Sequence, residues 1–168
     1  DDGGILTILN DVTELEDKEV QEKILSSSID NMSYGIQLWD KDRRLIRFNK
    51  HLKKRNDDFG VKTEIGMTWE ESMISQVEND FYELPPNETK ENWIKKGVSY
   101  FENFQGENTT TYKLGDGTYS MVTEKKLEDG NILQVISDVT HLKNQEKELE
   151  RLRVGVDQMS TAMAYWDS

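Results

Sequence analysis

The sequence predicts an α+β domain in which helices cover one face of an antiparallel sheet, with a long charged helix at each end. Two patterns carry this prediction. Short runs of alternating apolar and polar residues are joined by tight turns of Asp and Gly, which is typical of β-hairpins. A block of helical segments separates the first two predicted strands from the last three, and this segregation favours helices gathered on one face of a sheet.

A stretch near the start of the chain returns near its end. Asp11-Val12-Thr13 returns as Asp138-Val139-Thr140, and the apolar run 5–9 before it returns as 132–136. Each residue of the second copy lies 127 positions after its counterpart. Internal repeats define an architecture before any single motif does. We therefore expect one complete unit, preceded by the last strand of another copy at residues 1–11 and followed by the first strand of a third copy at residues 161–168.

The composition disfavours several classes of function. Asp and Glu outnumber Lys and Arg by 33 to 21, which gives a net charge of −12. The phosphates of a nucleic acid or an anionic membrane would be repelled by this charge. No apolar run reaches the roughly 18 residues of a membrane span. The chain has no cysteine, which excludes thiolate chemistry and fits a reducing compartment. We expect a cytoplasmic protein that contacts neither nucleic acid nor membrane.

The first elements are predicted in the following order. Residues 4–9 predict a strand, and residues 12–31 predict a helix with Thr13 as its N-cap, because Glu16 completes a capping-box pattern. Residues 34–39 and 45–48 predict two strands joined by a turn. Asn49 is a good N-cap for a short helix over about 50–57.

The middle and end of the unit follow. Helices are expected after Thr68 and over 88–102, with Pro85-Pro86 between them. Strands are expected over 109–114, 119–127 and 132–137, because Asp-Gly turns separate these alternating runs.

Residues 41–55 hold eight lysines and arginines. We interpret this cluster as a solvated face that pairs with acidic residues elsewhere, and a docking patch for an acidic neighbour is the alternative.

The last helix, predicted over 139–160, carries apolar residues at heptad spacing. Leu142, Leu149 and Val156 form one series, and Leu152 and Met159 form the other. Dense charge on the remaining faces leaves a narrow apolar seam, which is typical of a parallel two-stranded coiled coil. We expect a homodimer through this seam. An amphipathic helix that packs on its own domain is the alternative.

With this layout, the sequence resembles a PAS domain, of the subfamily found in tandem in bacterial sensor histidine kinases and cyclic-dinucleotide signalling proteins. The resemblance covers roughly residues 28–140 and is specific at both ends. The matching segments are Asp30-Asn31-Met32-Ser33-Tyr34-Gly35-Ile36, Leu38-Trp39-Asp40, Arg44-Leu45-Ile46, Asn49, Leu114-Gly115-Asp116-Gly117-Thr118-Tyr119, Glu128-Asp129-Gly130 and Asp138-Val139-Thr140.

The resemblance implies a five-stranded antiparallel sheet in the order 2-1-5-4-3, with helices enclosing a small pocket against one face. The complete PAS domain would span 32–138, between signalling helices at 12–31 and 139–160. Asp138 and Thr140 would form the family's Asp-x-Thr junction, where the sheet passes strain to the exit helix. Asp11 and Thr13 would form the same junction of a preceding PAS domain.

The function implied is that of a sensory, signal-transducing module. It would relay a ligand-induced or neighbour-induced change to an output domain, alongside adjacent PAS repeats in the same protein. A purely structural dimerisation and spacer module with a filled core is the alternative. No catalytic constellation is recognisable, so an enzyme is not expected in this chain.

Five large side chains are expected to face the pocket: Trp69, Met73, Trp93, Tyr112 and Met121. They either fill the core or line a ligand site. By resemblance, a flavin adduct would need a cysteine, which is absent, and haem would need a histidine within 88–102, where none occurs. A non-covalent flavin and a small organic acid stay open as ligands, and no metal site is expected.

Overall fold

The computed structural model describes the backbone of residues 3–166 and the side chains of residues 15–158. Five strands form one antiparallel sheet, namely β1 (Gly35–Trp39), β2 (Leu45–Phe48), β3 (Glu107–Lys113), β4 (Tyr119–Lys126) and β5 (Ile132–Asp138). Their order across the sheet is β2-β1-β5-β4-β3. Three helices connect β2 to β3, namely α2 (Lys50–Asp58), α3 (Trp69–Glu78) and α4 (Lys90–Asn103). The long helices α1 (Gly3–Asp30) and α5 (Thr140–Trp166) precede and follow the sheet.

This strand order confirms the α+β class predicted from the sequence and the sheet order implied by the PAS resemblance. The five strands predicted between residues 34 and 137 and the central helices are all present, with ends that differ by one or two residues. The turns between the last three strands contain Gly117 and Gly130, at φ angles of +86° and +85°. Glycine adopts this left-handed backbone without the steric cost that a Cβ would add.

The two ends of the chain differ from the sequence prediction. Residues 4–9, predicted as a strand, lie in α1, and Thr13, predicted as an N-cap, lies inside that helix. Residues 161–166, within the strand predicted for 161–168, lie in α5. A strand needs a neighbour to satisfy its backbone N–H and C=O groups, whereas a helix satisfies its own. The five strands of the sheet pair with one another, so these segments gain backbone hydrogen bonds by being helical. Their membership of neighbouring PAS repeats stays a prediction.

Side-chain caps explain where the central helices begin. The Asn49 side chain accepts from Leu52 N and from Ile36 N, both at 3.0 Å, and donates to Tyr34 O at 2.8 Å and to Ile29 O at 3.0 Å. This buried residue therefore caps α2 and also joins it to β1 and to the end of α1. Thr68 caps α3 in a capping box with Glu71, and Thr89 caps α4. The N-cap predicted at Asn49 and the helix predicted after Thr68 are confirmed.

The core lies between one face of the sheet and helices α3 and α4. Trp39 is fully buried, with its ring edge-on to Trp69 at a centroid distance of 5.0 Å. Phe101 stacks on Trp69 at 4.1 Å. A second, smaller cluster contains Val61, Phe81 and Leu114. Within the described part of the chain, no helix is both long enough and apolar enough to cross a membrane.

Candidate functional site

A cavity of about 210 Å³ lies between the sheet and helices α2, α3 and α4. Its floor includes three residues of β4, namely Ser120, Val122 and Glu124. These residues share a face because side chains at positions i, i+2 and i+4 of a strand point the same way. The cavity borders both core clusters, since Trp69 and Met73 of the larger cluster and Phe81 and Leu114 of the smaller one line it.

The cavity brings together four of the five residues that the sequence predicted for it. Trp69, Met73, Trp93 and Tyr112 line it, and Met121 does not. Met121 lies between Ser120 and Val122 on β4, so the alternation of the strand turns its side chain to the opposite face. The expectation for Met121 is therefore wrong by one position along the strand. Ligand binding by the other four residues stays a prediction.

One end of the cavity is crossed by a hydrogen-bond network centred on Glu124, which is 5% exposed. Its Oε2 accepts from Tyr100 OH at 2.7 Å, and its Oε1 accepts from the Gln134 side-chain amide. Asn108 Nδ2 donates to Tyr100 OH at 2.8 Å, and Trp39 Nε1 donates to Gln134 Oε1 at 2.9 Å. No ion pair between described side chains involves Glu124. Neutral donors alone therefore stabilise this buried carboxyl group.

Three tyrosines line the cavity as hydrogen-bonding groups with raised pKa values. Desolvation, followed by the hydrogen bond to Glu124, raises the pKa of Tyr100 to about 12. Burial raises the pKa of Tyr82 and of Tyr112 as well. Tyr82 OH donates to Gln76 Oε1 at 2.5 Å. At neutral pH all three phenols are therefore protonated.

Ser120 and Arg55 also line the cavity. Ser120 is 2% exposed, and its Oγ has no hydrogen-bond partner among the described residues. Arg55 of α2 is half-buried, with its guanidinium carbon 5.0 Å from the centre of the Phe81 ring. No described carboxylate oxygen lies within 4.0 Å of an Arg55 guanidinium nitrogen, so Arg55 forms no ion pair with a described residue. Burial lowers the pKa of Arg55, while Tyr82, Asp138 and Asp116 act in the opposite direction.

The predicted junction adjoins Ser120. Asp138 is the cross-strand partner of Ser120 in the pairing of β5 with β4. Its Oδ1 accepts from Thr140 N at 2.8 Å, and Thr140 Oγ1 accepts from Tyr119 N at 2.9 Å. The hydrogen bonds to Thr140 hold the pKa of Asp138 below its usual range, with a smaller contribution from Arg55. The side chains of Asp11 and Thr13, predicted to form an equivalent junction, lie outside the described residues.

Helix α5 presents its predicted seam to solvent. Leu142, Leu149, Leu152 and Val156 are 53%, 67%, 59% and 61% exposed. The alternative that this seam packs on its own domain is therefore wrong for these four residues. The side chain of Met159, the fifth predicted seam residue, lies outside the described part of the chain. Dimerisation itself stays a prediction.

Sequence reasoning missed Arg55, Ser120 and Glu124. Arg55 belongs to the basic cluster 41–55, which was interpreted as a solvated face. That interpretation fits Arg43, which pairs with Glu102 at 2.6 Å, but not Arg55, which turns into the cavity. Ser120 and Glu124 share one face of the predicted strand 119–127. A prediction of which strand face lines the cavity, rather than a search for large side chains, would have identified both residues.

A metal site is not formed by the described side chains. Among residues 15–158 no group of three or more His, Cys, Asp and Glu residues is arranged to hold an ion.

No family model matches the chain, and no curated protein matches it. Several solved structures are similar. The PAS domain of an HTR-like protein from Haloarcula marismortui is 15% identical over 75% of this chain and 98% of its own, with a TM-score of 0.41. The PAS domain of Bordetella pertussis BvgS is 14% identical over 84% of this chain and 98% of its own, with a TM-score of 0.46. The sensor region of a sensor histidine kinase is 16% identical over 65% of this chain and 40% of its own, with a TM-score of 0.47.

The class of the protein is defined by the topology of the chain itself. The sheet order β2-β1-β5-β4-β3, with three helices between β2 and β3 closing over a cavity, is the arrangement that the PAS resemblance implied. The chain therefore has a PAS fold.

Proposed function

We propose that this chain is a sensory, signal-transducing PAS module that binds a small molecule in its cavity and relays the change to helix α5. One observation carries the proposal. Ser120 on the cavity floor is the cross-strand partner of Asp138, and Asp138 accepts a hydrogen bond from Thr140 at the start of α5. The cavity and the exit helix are therefore separated by a single pair of side chains.

This adjacency gives ligand binding a short route to the helix. A ligand that contacts Ser120 changes the surroundings of Asp138, whose side chain lies about 5 Å away across the strands. Asp138 and Thr140 together determine how α5 leaves the sheet. A ligand shifts a two-state equilibrium only by its difference in affinity for the two states. The relay therefore requires two arrangements of this junction that differ in their contacts with the ligand.

The second part of the proposal is a homodimer formed through α5. Four apolar side chains at heptad spacing are more than half exposed in the single chain. Full burial of a leucine or valine side chain stabilises by about 1.5–3 kcal/mol. A second copy with the same seam would cover these side chains in parallel. We propose that the dimer operates in the cytoplasm, between adjacent PAS repeats and an output domain of the same protein.

The size of the cavity favours a small ligand over a flavin. Sites for drug-sized ligands generally occupy about 300–1,000 Å³, and this cavity has about 210 Å³. An apolar cavity of roughly 150 Å³ is enough to bind benzene. An organic acid with a body slightly larger than one aromatic ring fits this volume. A cavity of this size also argues against a spacer module with a filled core.

Native mass spectrometry of the purified chain tests the proposal, with a denatured sample alongside. We expect twice the chain mass, together with an added mass below that of a flavin nucleotide that disappears on denaturation. A bare monomer at micromolar concentration would contradict dimerisation through α5. A dimer without added mass would be incubated with candidate acids, and failure of all of them to bind would contradict the sensory role.

A further inference from the structure

We infer that the cavity binds a small monocarboxylic acid whose carboxylate contacts Ser120 and Arg55. This inference rests on the proposed function, since it names the ligand class of the same cavity. It comes from two polar side chains of the cavity, Ser120 without a hydrogen-bond partner and Arg55 without an ion-pair partner among the described residues, and from the apolar and aromatic side chains that line much of the rest.

Ser120 supplies the first observation. A buried hydroxyl group ordinarily makes a hydrogen bond, because an unsatisfied buried donor is costly. The Ser120 Oγ has no hydrogen-bond partner among the described residues, and Ser120 is one of the residues that line the cavity. Val122, its neighbour on the same strand face, has no side-chain acceptor, and both carboxylate oxygens of Glu124 already accept other hydrogen bonds. A ligand acceptor is therefore the partner that the Ser120 hydroxyl lacks.

Arg55 supplies the second observation. It lines the same cavity, and no described carboxylate forms an ion pair with it. Contact with the face of the Phe81 ring stabilises the guanidinium but leaves its N–H donors available. A guanidinium binds a carboxylate through two parallel hydrogen bonds. Arg55 is therefore the group in the cavity best suited to an anion.

The charge balance of the described residues favours a single negative charge on the ligand. Lys96 is the other cationic residue that lines the cavity, and it is already paired with Glu88 at 2.5 Å and largely exposed. Glu124, elsewhere in the cavity, would repel a second anionic group. A dicarboxylate or a phosphate ester would thus bring more charge than Arg55 alone neutralises.

The remaining lining and the volume of the cavity indicate the chemistry and size of the rest of the ligand. Apolar and aromatic side chains of both the sheet and the helices line it, among them Trp69, Met73, Trp93, Val122 and Ile136. The volume accommodates on the order of ten non-hydrogen atoms, by comparison with cavities that hold benzene. An aromatic or branched aliphatic monocarboxylate meets both requirements.

The test compares carboxylic acids with their uncharged amides by isothermal titration calorimetry at pH 7. The probes are benzoate, phenylacetate and 3-methylbutanoate, each paired with its primary amide. At least one acid is expected to bind about tenfold or more tightly than its amide. Equal binding of acids and amides would overturn the carboxylate assignment and leave the sensory proposal intact. Failure of every acid and amide to bind at 10 mM would overturn both.

Two variants locate the carboxylate. Arg55→Gln is expected to weaken the acid about ten- to a hundredfold, because it removes a charge-assisted hydrogen bond. Lys54→Gln is the matched control, since it removes the same charge from an exposed neighbour on α2. Equal losses in the two variants would show a general charge effect and overturn the assignment to Arg55.

Ser120→Ala keeps the inference testable if Arg55→Gln unfolds. This variant is expected to weaken the acid about fivefold or more while the amide changes by less than about twofold. Near-ultraviolet circular dichroism of each variant, which reports the packing of Trp39 and Trp69, confirms that the domain is folded. Unchanged acid binding in Ser120→Ala would exclude the hydroxyl as a ligand contact.

Discussion

Ser120 and Asp138 are direct cross-strand partners on β4 and β5, and their side chains lie on the same face of the sheet. One residue belongs to the floor of the cavity and the other to the junction with α5. No additional element is needed between the ligand site and the exit helix. The proposed relay therefore depends on two adjacent positions of the sheet, and substitutions at these positions test binding, stability and signalling separately.

Ser120→Ala is expected to leave the unliganded domain as stable as before, or to stabilise it by up to about 1 kcal/mol, because a buried hydroxyl without a partner costs free energy. Chemical denaturation followed by tryptophan fluorescence measures the change. Ser72→Ala is the matched control, since Ser72 is also buried but its Oγ accepts from Gln76 Nε2 at 2.8 Å. That control should lose about 1 kcal/mol. Equal losses in both variants would show that Ser120 has a hidden partner.

Asp138→Ala is expected to cost the isolated domain about 1 kcal/mol and to uncouple the full-length protein. The stability cost follows from losing the carboxylate that accepts from Thr140 N, as in other helix caps. Asp129→Ala is the control, because Asp129 accepts in the same way from Asn131 N at 3.0 Å, in the turn before β5. Both variants should remain folded at 25 °C by circular dichroism.

Output activity of the full-length protein then separates the two aspartates. Asp138→Ala should give an output that no longer follows the stimulus, while Asp129→Ala should respond as the unchanged protein does. A normal response in Asp138→Ala would contradict the junction role.

The fold was predictable from the sequence because its signals are local. The Asn49 cap, the helical pattern after Thr68 and the Asp-Gly turns each depend on residues within a few positions of one another. The strands predicted at the two ends of the chain were wrong for the opposite reason. The residues at 4–9 have a strand pattern, but a strand requires partners from elsewhere in the chain, and the helix needs none.

The cavity was predictable only in part, because its lining depends on long-range packing. Large side chains such as Trp69 and Trp93 were found from their size. The prediction for Met121 was wrong because the size of a side chain does not indicate which face of β4 lines the cavity. Arg55 could not be distinguished from the seven other basic residues of 41–55, since only the docking of α2 against Phe81 determines its direction.

The raised pKa of Tyr100 predicts how the stability of the domain changes at alkaline pH. Its pKa is raised to about 12 by desolvation and by the hydrogen bond to Glu124. Because this pKa is higher in the folded than in the unfolded chain, the protonated Tyr100 phenol stabilises the fold. That contribution is fully present below the tyrosine pKa of the unfolded chain, which is near 10. It is lost as the pH rises through 12. Tyr100→Phe should therefore reduce the fall in stability between about pH 10 and pH 12.

The measurement is denaturant unfolding at several pH values, with Tyr34→Phe as the control. Tyr34 is exposed and lies outside the cavity. Glu124→Gln should also lower the pKa of Tyr100, as followed by phenolate absorbance, because the carboxylate favours the protonated phenol. An unchanged tyrosine titration in Glu124→Gln would contradict the proposed coupling.

Gly97→Ala is expected to reduce the cavity. A Cβ at this position on α4 would lie 2.5 Å from Met73 Cε and 3.1 Å from Met73 Sδ. The flexible thioether would move away, and Met73 lines the cavity. We expect weaker binding of the acids by about tenfold, as shown by calorimetry. Gly155→Ala is the control, because nothing lies within 4 Å of its added methyl group and helix propensity favours it. Unchanged affinity in Gly97→Ala would place the ligand away from Met73.

Leu149→Gln combined with Leu152→Gln is expected to dissociate the proposed dimer. Both side chains are largely exposed in the single chain, at 67% and 59%, and lie on the heptad seam of α5. Each leucine buried in the proposed interface would contribute about 1.5–3 kcal/mol of association free energy per chain, and glutamine removes most of that contribution. Sedimentation equilibrium should show at least a hundredfold weaker association. Glu150→Gln combined with Arg151→Gln changes two neighbouring positions outside the seam and leaves the net charge unchanged. This control should remain dimeric. A mass that stays the same in both double variants would remove the coiled coil from the mechanism, and the relay would then have to act within one chain.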